Sequence, residues 1–434
     1  MPTASNPGLP VQPTTVQDTR LPSQFINDLV LKVLYLNGSM SGKGLSEHTC
    51  LAWPIIEEAL KALSEDQFCQ ATGARDHTFT GGDFNAGIFQ GLTNAGVAKA
   101  KELILVSQYA GPAPITMDYY MAVSKAQAKN HYRVTRPQLE AALAKLILPP
   151  SVLDQLGPGL ASRQPIFLYG PPGNGKSTIA ISCAGLLGPP IFLPHAIYVK
   201  GEVIRLFDPA HHHPVRIPDN VVYDRRWIAC QRPVVIVGGE LTKESLELSF
   251  DPHLGFYEAP LQMKANGGMF LIDDFGRQEI RPSAILNRLI VPLETHVDYL
   301  NISRAGTTIP VPFDEILMIS TNLDPKELMD DAFLRRIHYK VEVPDPTLED
   351  FARIFKKNCE ELHITYNPAA VEYLLTKHYD GKMTGQKRPR HGCDPRDILN
   401  HLIHVAEYLG QPPQLTPELI DRAVATYFTR FNAS

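Results

Sequence analysis

A glycine-rich run lies between a short apolar strand and an apolar helix. The strand covers residues 166–169, the run is Gly170–Ser177, and the helix continues to Leu187. The run fits the pattern GxxxxGK[ST] in the strand–loop–helix setting that this pattern requires. Glycines let backbone N–H groups converge on phosphate oxygens, and the helix N-terminus adds its dipole. We therefore predict a nucleotide site in which Lys176 faces the β- and γ-phosphates and the Ser177 hydroxyl binds Mg²⁺. The residues predicted to hold the nucleotide are Gly170, Pro171, Pro172, Gly173, Asn174, Gly175, Lys176, Ser177 and Thr178.

Two further apolar strands end in polar side chains. The strand 267–272 is followed by Asp273 and Asp274, and the strand 316–321 ends at Asn322. An aspartate in the first position holds Mg²⁺ through water, so Asp273 is predicted as a metal ligand. The next residue normally is a glutamate that orients the attacking water. Here it is Asp274, one methylene shorter, which leaves the rate of hydrolysis open, while Asn322 is predicted to help orient the water.

Three arginines are candidates for contacts with the nucleotide. Arg335 and Arg336 close a short predicted helix before the strand 338–343, and could stabilise transition-state charge from a neighbouring subunit. A solvated basic helix end is the alternative. Arg396 lies in the first turn of a helix predicted to have Asp394 as its N-cap, where a positive charge opposes the helix dipole. This placement suggests a contact with the γ-phosphate, with an ordinary surface arginine as the alternative.

Composition and periodicity divide the chain into parts. We predict a disordered tail (1–23), a winged-helix-like domain (24–106) and a connector (107–144). An α/β core (145–346) that contains an insertion (199–266) follows, and then a helical C-terminal part (347–434). The flexible tail and the Pro-containing connector predict that the N-terminal domain moves relative to the core.

The charge balance limits the possible partners. The chain has 41 basic and 46 acidic residues, which excludes a generally basic nucleic-acid binder. The candidate recognition helix of the N-terminal domain, residues 53–66, is itself acidic, which suits phosphate contacts poorly. Six scattered cysteines without a CxxC, and no run of 18 apolar residues, predict a cytoplasmic protein without a membrane span.

The order of these motifs resembles that of an AAA+ ATPase over about residues 145–431. The segment Gly170–Ser177 resembles Walker A of that family, and Ile272-Asp273-Asp274 resembles Walker B. Thr321-Asn322 resembles sensor 1, Arg335-Arg336 resembles the arginine finger, and Asp394-Pro395-Arg396 resembles sensor 2. A predicted β-hairpin between Leu293 and Ser320 is similar to the one in MoxR-like members. The resemblance implies a doubly wound parallel sheet with a C-terminal helical lid. It also implies ATP hydrolysis with Mg²⁺ that remodels another macromolecule, in a ring, expected to be a hexamer, whose finger acts in trans.

One segment departs from the family pattern. The connection between the second-strand candidate, residues 191–199, and the strand 267–272 is much longer than a usual helix connection. It contains the strand-like run Val234–Val237 and three consecutive histidines, 211–213. Adjacent histidines in one loop rarely converge on one tetrahedral ion, so we predict no metal beyond Mg²⁺.

Three classes of function remain open at this level. The first is an ATPase that remodels or assembles a protein client. The second is an ATP-dependent DNA-binding transcription regulator that uses the winged-helix-like domain. The third is a nucleotide-gated scaffold with little turnover, which the aspartate at 274 allows. The acidic recognition helix favours a protein partner over nucleic acid, and the client itself is not specified by the sequence.

Overall fold

The computed structural model describes residues 8–75, 84–129, 132–328, 335–380 and 387–428. At its centre is a five-stranded sheet in which every neighbouring pair is parallel. The strands are short and apolar, as expected for a parallel sheet that is covered on both faces. Their spatial order is Val234–Val237, Met269–Ile272, Ile316–Thr321, Ile166–Tyr169 and Tyr339–Glu342.

Helices cover both faces of this central sheet. On one face the helices Pro150–Ser162 and Lys176–Cys183 pack against alternate strand residues such as Leu168. On the other face Phe167 and its neighbours contact the helix Pro282–Thr295. The predicted doubly wound α/β fold is therefore confirmed.

The second strand of the central sheet is not the one predicted. Val234–Val237 pairs in parallel with Met269–Ile272, whereas Ile191–Pro194 pairs antiparallel with Trp227–Cys230 outside this sheet. The prediction of residues 191–199 was wrong because short apolar strands look alike in sequence, and pairing partners are decided by tertiary contacts. Part of the segment 199–266 is thus core rather than insertion.

A second sheet is assembled from the connector and the long segment before Val234. Its order is Ser249–Asp251, Phe256–Glu258, Glu202–Arg205, Ala196–Val199 and Ile115–Thr116. Met117–Lys129 is a helix that follows directly in the connector, and Arg136–Ala142 is the next. The predicted hairpin is confirmed as Val297–Ile302 paired with Thr307–Pro312, and its inner face packs in the core of this second sheet.

The N-terminal helices pack on that second sheet. They are Ser23–Asn37, Gly42–Thr49, Trp53–Glu65 and Asn94–Val106, with strands Met40–Ser41, Cys69–Arg75 and Ile88–Leu92. The strand Ile88–Leu92 lies between the other two and pairs antiparallel with each of them. Their apolar core includes Ala196, Val203 and Phe256 of the second sheet. The N-terminal domain is therefore not the separately moving unit that the connector suggested.

The described part of the predicted tail is held by a buried ion pair. Arg226 and Asp224 are 1% and 0% exposed, and their closest N–O distance is 2.8 Å. Arg226 Nη1 also donates to the carbonyls of Thr19 and Pro114, each at 3.3 Å, and Asp224 N donates to the carbonyl of Pro10 at 3.0 Å. Residues 8–23 thus differ from the disorder predicted for 1–23, because a buried guanidinium needs carbonyl acceptors and the tail supplies one. Residues 1–7 lie outside the described residues.

The C-terminal part is helical, as predicted, and has a core of its own. Its helices are Leu348–Glu361, Pro368–Leu374, Asp394–Tyr408 and Pro417–Tyr427, packed around residues such as Phe355. Asn367 and Thr416 cap two of them with their side chains. Asp394 is the first helical residue and Cys393 is the N-cap, so that prediction was one residue out. Its carboxylate is engaged elsewhere, by the hydroxyls of Tyr379 and Tyr427.

Across the described residues, no helix combines the length and apolarity needed to cross a membrane.

Candidate nucleotide-binding site

A cleft of about 560 Å³ opens at the carboxyl edge of the central sheet, beneath the C-terminal helices. Because the carboxyl ends of parallel strands meet at one edge, the glycine-rich loop and the two polar strand ends converge there. Residues that line the cleft include Gly173–Thr178, Asp274, Asn322 and Arg396. The structure thus brings together predicted site residues from four separate segments of the chain.

The glycine-rich loop has a backbone that only glycine adopts readily. Gly170, Gly173 and Gly175 have φ values of 135°, 77° and 80°. A Cβ at Gly170 would lie 2.4 Å from the carbonyl oxygen of Val343, so the loop also packs too closely for a side chain. The helix that starts at Lys176 follows immediately, which places its N-terminus at the cleft.

Lys176 lies inside the curve of this loop. Its Nζ donates to the carbonyls of Gly170 and Pro171 at 2.9 and 2.7 Å, and the residue is only 5% exposed. Burial lowers its pKa, although the carboxylates of Asp274 and Asp273 act in the opposite direction. The ammonium group is therefore held by the loop carbonyls, within electrostatic reach of the two carboxylates.

The two carboxylates have different partners. Asp273 accepts a short hydrogen bond from the Ser320 hydroxyl, and another from the backbone N–H of Asp274 at 3.1 Å. Asp274 has a left-handed backbone, with φ of 47°, and its Oδ1 accepts from Asn322 Nδ2 at 3.0 Å. The predicted neighbourhood of Asp274 and Asn322 is thus present. The side chain of Asn322 sets the direction of that carboxylate.

Two side chains at this edge were missed by the sequence analysis. Ser320 is 1% exposed and orients Asp273, and its position one residue before the end of an apolar strand was a usable signal. Gln278 donates to the carbonyls of Asp273 and Asp274 at 3.0 and 3.3 Å and fixes the turn that carries both carboxylates. No local pattern marks Gln278, because its role depends on how the turn folds back.

The oxygen atoms near Lys176 suit a hard cation. The Ser177 hydroxyl and the carboxylates of Asp273 and Asp274 are the ligand types that Mg²⁺ uses, together with phosphate and water. Within the described ranges, no group of three or more His, Cys, Asp or Glu side chains could hold a metal ion alone. His212, from the run of three histidines, is buried and bonded to backbone groups: its Nδ1 accepts from Asp208 N at 2.9 Å, and its Nε2 lies 2.8 Å from the carbonyl of Lys264.

The three candidate arginines lie in different places. The side chain of Arg396 lines the cleft, remains 64% exposed and pairs with Asp397 at 3.0 Å. Arg335 is exposed. Arg336 pairs with Glu294 at 2.6 Å, and Glu294 lies on the helix Pro282–Thr295, which covers the Phe167 face of the central sheet. Neither Arg335 nor Arg336 lines the cleft of its own chain.

The far wall of the cleft was not predicted. It combines Ile147 and Leu148, which precede the helix Pro150–Ser162, with Ile354 and Asn358 of the first C-terminal helix. Lys357 on that helix donates to the carbonyl of Lys145 at 2.7 Å and so closes this wall. These residues meet only in the folded chain, and together they form a wall of mixed polarity that faces the glycine-rich loop across the cleft.

Comparisons with known proteins give the following picture. A family model described as a domain of unknown function (DUF8689) matches residues 347–426. No curated protein matches the sequence. Among solved structures, NtrX from Brucella abortus in complex with ATP is similar at 14% identity and a TM-score of 0.41, over 77% of this chain and 69% of that one. The Thermotoga maritima RuvB Holliday junction branch migration motor is similar at 13% identity and a TM-score of 0.36, over 66% of this chain and 68% of that one. These scores are too low to carry a functional assignment, which depends on the cleft itself.

Proposed function

We propose that this chain is an AAA+ ATPase that binds ATP with Mg²⁺ in the cleft and hydrolyses it. One observation carries the proposal: the loop residues Gly173–Ser177, the carboxylate of Asp274, the amide of Asn322 and Arg396 line one cleft between a parallel sheet and a helical lid. Asp273 does not line the cleft itself but lies beside Asp274 and is hydrogen-bonded to Ser320, which does. The lid is the helical part from Leu348 to Tyr427. The sheet order, with the loop strand between the strands of Asn322 and Tyr339–Glu342, supports the same assignment.

The residues of the cleft divide the chemistry between them. The N–H groups of the loop bind the phosphates, and Lys176 neutralises charge on the β- and γ-phosphates. Ser177 and Asp273 would hold Mg²⁺, which supplies charge neutralisation between the phosphates, with Ser320 orienting Asp273. Asp274, directed by Asn322, orients the attacking water and accepts its proton.

The positions of Arg335 and Arg336 support a ring. A finger that lies outside its own cleft can act only on the nucleotide of a neighbouring subunit. The proposed assembly is a ring, with a hexamer as the expected size. A MoxR-like placement within the family is supported by the hairpin Val297–Pro312 before the Asn322 strand.

The proposed partner is a protein client. The N-terminal order of helix, short strand, two helices and hairpin supports a winged-helix-like fold. In the helix Trp53–Glu65, the buried face contains Ile56, Leu60 and Leu63. Glu58 and Glu65 are exposed, which disfavours duplex DNA. A cytoplasmic location remains a prediction.

The first experiment measures ATP binding and hydrolysis by the full chain. We expect Lys176→Ala to lose ATP binding or turnover, and Asp274→Asn to bind ATP with turnover reduced about a hundredfold or more, as for loss of general-base catalysis. Lys43→Ala, an exposed lysine of the N-terminal domain, is the matched control and should be unchanged. Normal hydrolysis by Lys176→Ala would refute the site, and binding without turnover by the parent chain would instead favour the scaffold. A sequence-selective, salt-sensitive gel shift with the full chain would favour the DNA-binding regulator.

A further inference from the structure

The side chain of Asn174 links the phosphate loop to the lid. Its Oδ1 accepts from the backbone N–H of Gly392 at 2.8 Å, and its Nδ2 donates to Asp345 Oδ1 at 2.9 Å. The residue is 8% exposed, although it lies in a loop at the mouth of a cleft. Asn174 thus has a task beyond the backbone contacts that the sequence pattern assigns to it.

Both partners of Asn174 lie on the lid side of the cleft. Asp345 lies in the short linker between the strand Tyr339–Glu342 and the first lid helix. The same Oδ1 atom of Asp345 lies 3.0 Å from His391 Nδ1, whose N–H donates to the carboxylate. Gly392 is the next residue along the chain. We call Asn174, Asp345, His391 and Gly392 the latch.

The latch continues into the core of the lid. The backbone N–H of His391 donates to Asp394 Oδ2 at 3.0 Å. The Asp394 carboxylate also accepts from the hydroxyls of Tyr379 and Tyr427, each at 2.8 Å. Tyr379 is completely buried among the lid side chains. A shift of the loop at Asn174 therefore reaches the packed interior of the lid through hydrogen bonds alone.

Only a carboxamide of this length meets both demands at position 174. One side of it faces an N–H donor and the other faces a carboxylate, which accepts but cannot donate. An aspartate would keep the bond to Gly392 but would place a second negative charge against Asp345. The flanking glycines, Gly173 and Gly175, both have positive φ, so the loop presents this one side chain to the lid.

We propose that Asn174 is a positioning residue that couples nucleotide on the phosphate loop to the position of the lid. The inference rests on the proposed function, since it assumes that the loop binds phosphate. When phosphates engage the backbone on both sides of Asn174, the loop becomes fixed. Its side chain then fixes the linker at Asp345 and the lid at Gly392. The lid in turn carries Arg396, four residues beyond Gly392 in sequence, to the cleft.

The test uses the full chain with Mg²⁺-ADP, measured in two ways. Calorimetry gives the affinity for ADP, and hydrogen–deuterium exchange of peptides covering residues 388–396 reports the Gly392 amide. The variants are Asn174→Ala, Asn174→Asp, Asp345→Asn and the exchange of both, Asn174→Asp with Asp345→Asn. Asn400→Ala is the matched control, because it removes a side-chain amide from the lid helix Asp394–Tyr408, outside the latch.

In the parent chain, we expect ADP to slow exchange at residues 388–396. In Asn174→Ala at saturating ADP, exchange there should be about tenfold faster and affinity about tenfold weaker, as for a lost hydrogen bond. Asn174→Asp should behave similarly, and the double exchange should recover protection, because it rebuilds the pair with donor and acceptor reversed. If the parent binds ADP but Asn174→Ala keeps full protection, the inference is overturned. If the parent binds no ADP, the proposed function itself fails.

Discussion

Arg226 and Asp224 are almost fully buried where the tail, the connector and the second sheet meet, whereas His391 and Asp345 are 25% and 34% exposed where the central sheet meets the lid. The apolar cores of the two regions also differ in whether they are shared with a neighbouring sheet. The N-terminal helices share one core with the second sheet, whereas among the described residues the lid core is drawn from positions 351–428. Buried charge and shared apolar surface fuse the first junction, whereas the polar contacts of the second are partly open to solvent at Asp345 and His391. We therefore expect the lid to shift relative to the sheet more readily than the N-terminal domain does.

The largest expected effect is at the fused junction. Arg226→Ala leaves Asp224 buried without its partner, and we expect it to lower the free energy of unfolding by about 3–5 kcal/mol, measured by urea denaturation. Arg225→Ala, the exposed neighbour, should change it by less than about 0.5 kcal/mol. Equal effects of the two substitutions would mean that the N-terminal junction is no firmer than an ordinary surface.

A second effect depends on pH and concerns Glu315, which directly precedes the central-sheet strand Ile316–Thr321. Glu315 is buried, and desolvation raises its pKa well above the usual value, with Asp314 and Asp298 adding to the rise. A raised pKa means that folding takes up a proton, so stability falls as pH rises from the unfolded pKa towards the folded one. Glu315→Gln removes this dependence.

We therefore expect Glu315→Gln to raise the melting temperature more at about pH 8 than at about pH 5. Glu294→Gln, on an exposed carboxylate, is the control and should show no such difference. A stability gain that does not vary with pH would show that Glu315 is ionised in the folded chain.

The smallest effect on stability is expected at Arg336. Its ion pair with Glu294 is partly exposed, so both Arg336→Ala and Glu294→Ala should change the free energy of unfolding by no more than about 1 kcal/mol. If Arg336 is the finger, only Arg336→Ala should lose turnover. Equal turnover in the two variants, with loss in Arg335→Ala, would assign the finger to Arg335.

Mixing subunits extends this comparison to the ring. A Lys176→Ala chain mixed with an Arg335→Ala/Arg336→Ala chain should recover part of the ATPase activity, because each supplies what the other lacks at the shared site. The single preparations should remain inactive. If light scattering shows that the parent chain is strictly monomeric while it has full ATPase activity, action in trans is contradicted.

The sequence analysis was most successful where structure is local. The glycine-rich loop is contiguous in sequence with its flanking strand and helix, and Asp273 directly precedes Asp274. The positive φ angles of the loop glycines are a property of those residues themselves. The hairpin Val297–Pro312 was found for the same reason. The second strand was misassigned because its identity depends on which of several short apolar strands pairs with Met269–Ile272.

The geometry of the glycine-rich loop, the alternation of strands and helices in the core, and the helical C-terminal part follow from the sequence alone, because each is encoded by neighbouring residues and their periodicity. The remaining contacts depend on how distant segments pack in the folded chain. The contact of Asn174 with Asp345 joins positions 171 residues apart, and its contact with Gly392 joins positions 218 apart. Arg226 bonds a carbonyl 207 residues away. Such contacts form because a buried polar group must find a partner wherever the folded chain places one, and no local pattern states which one it will be.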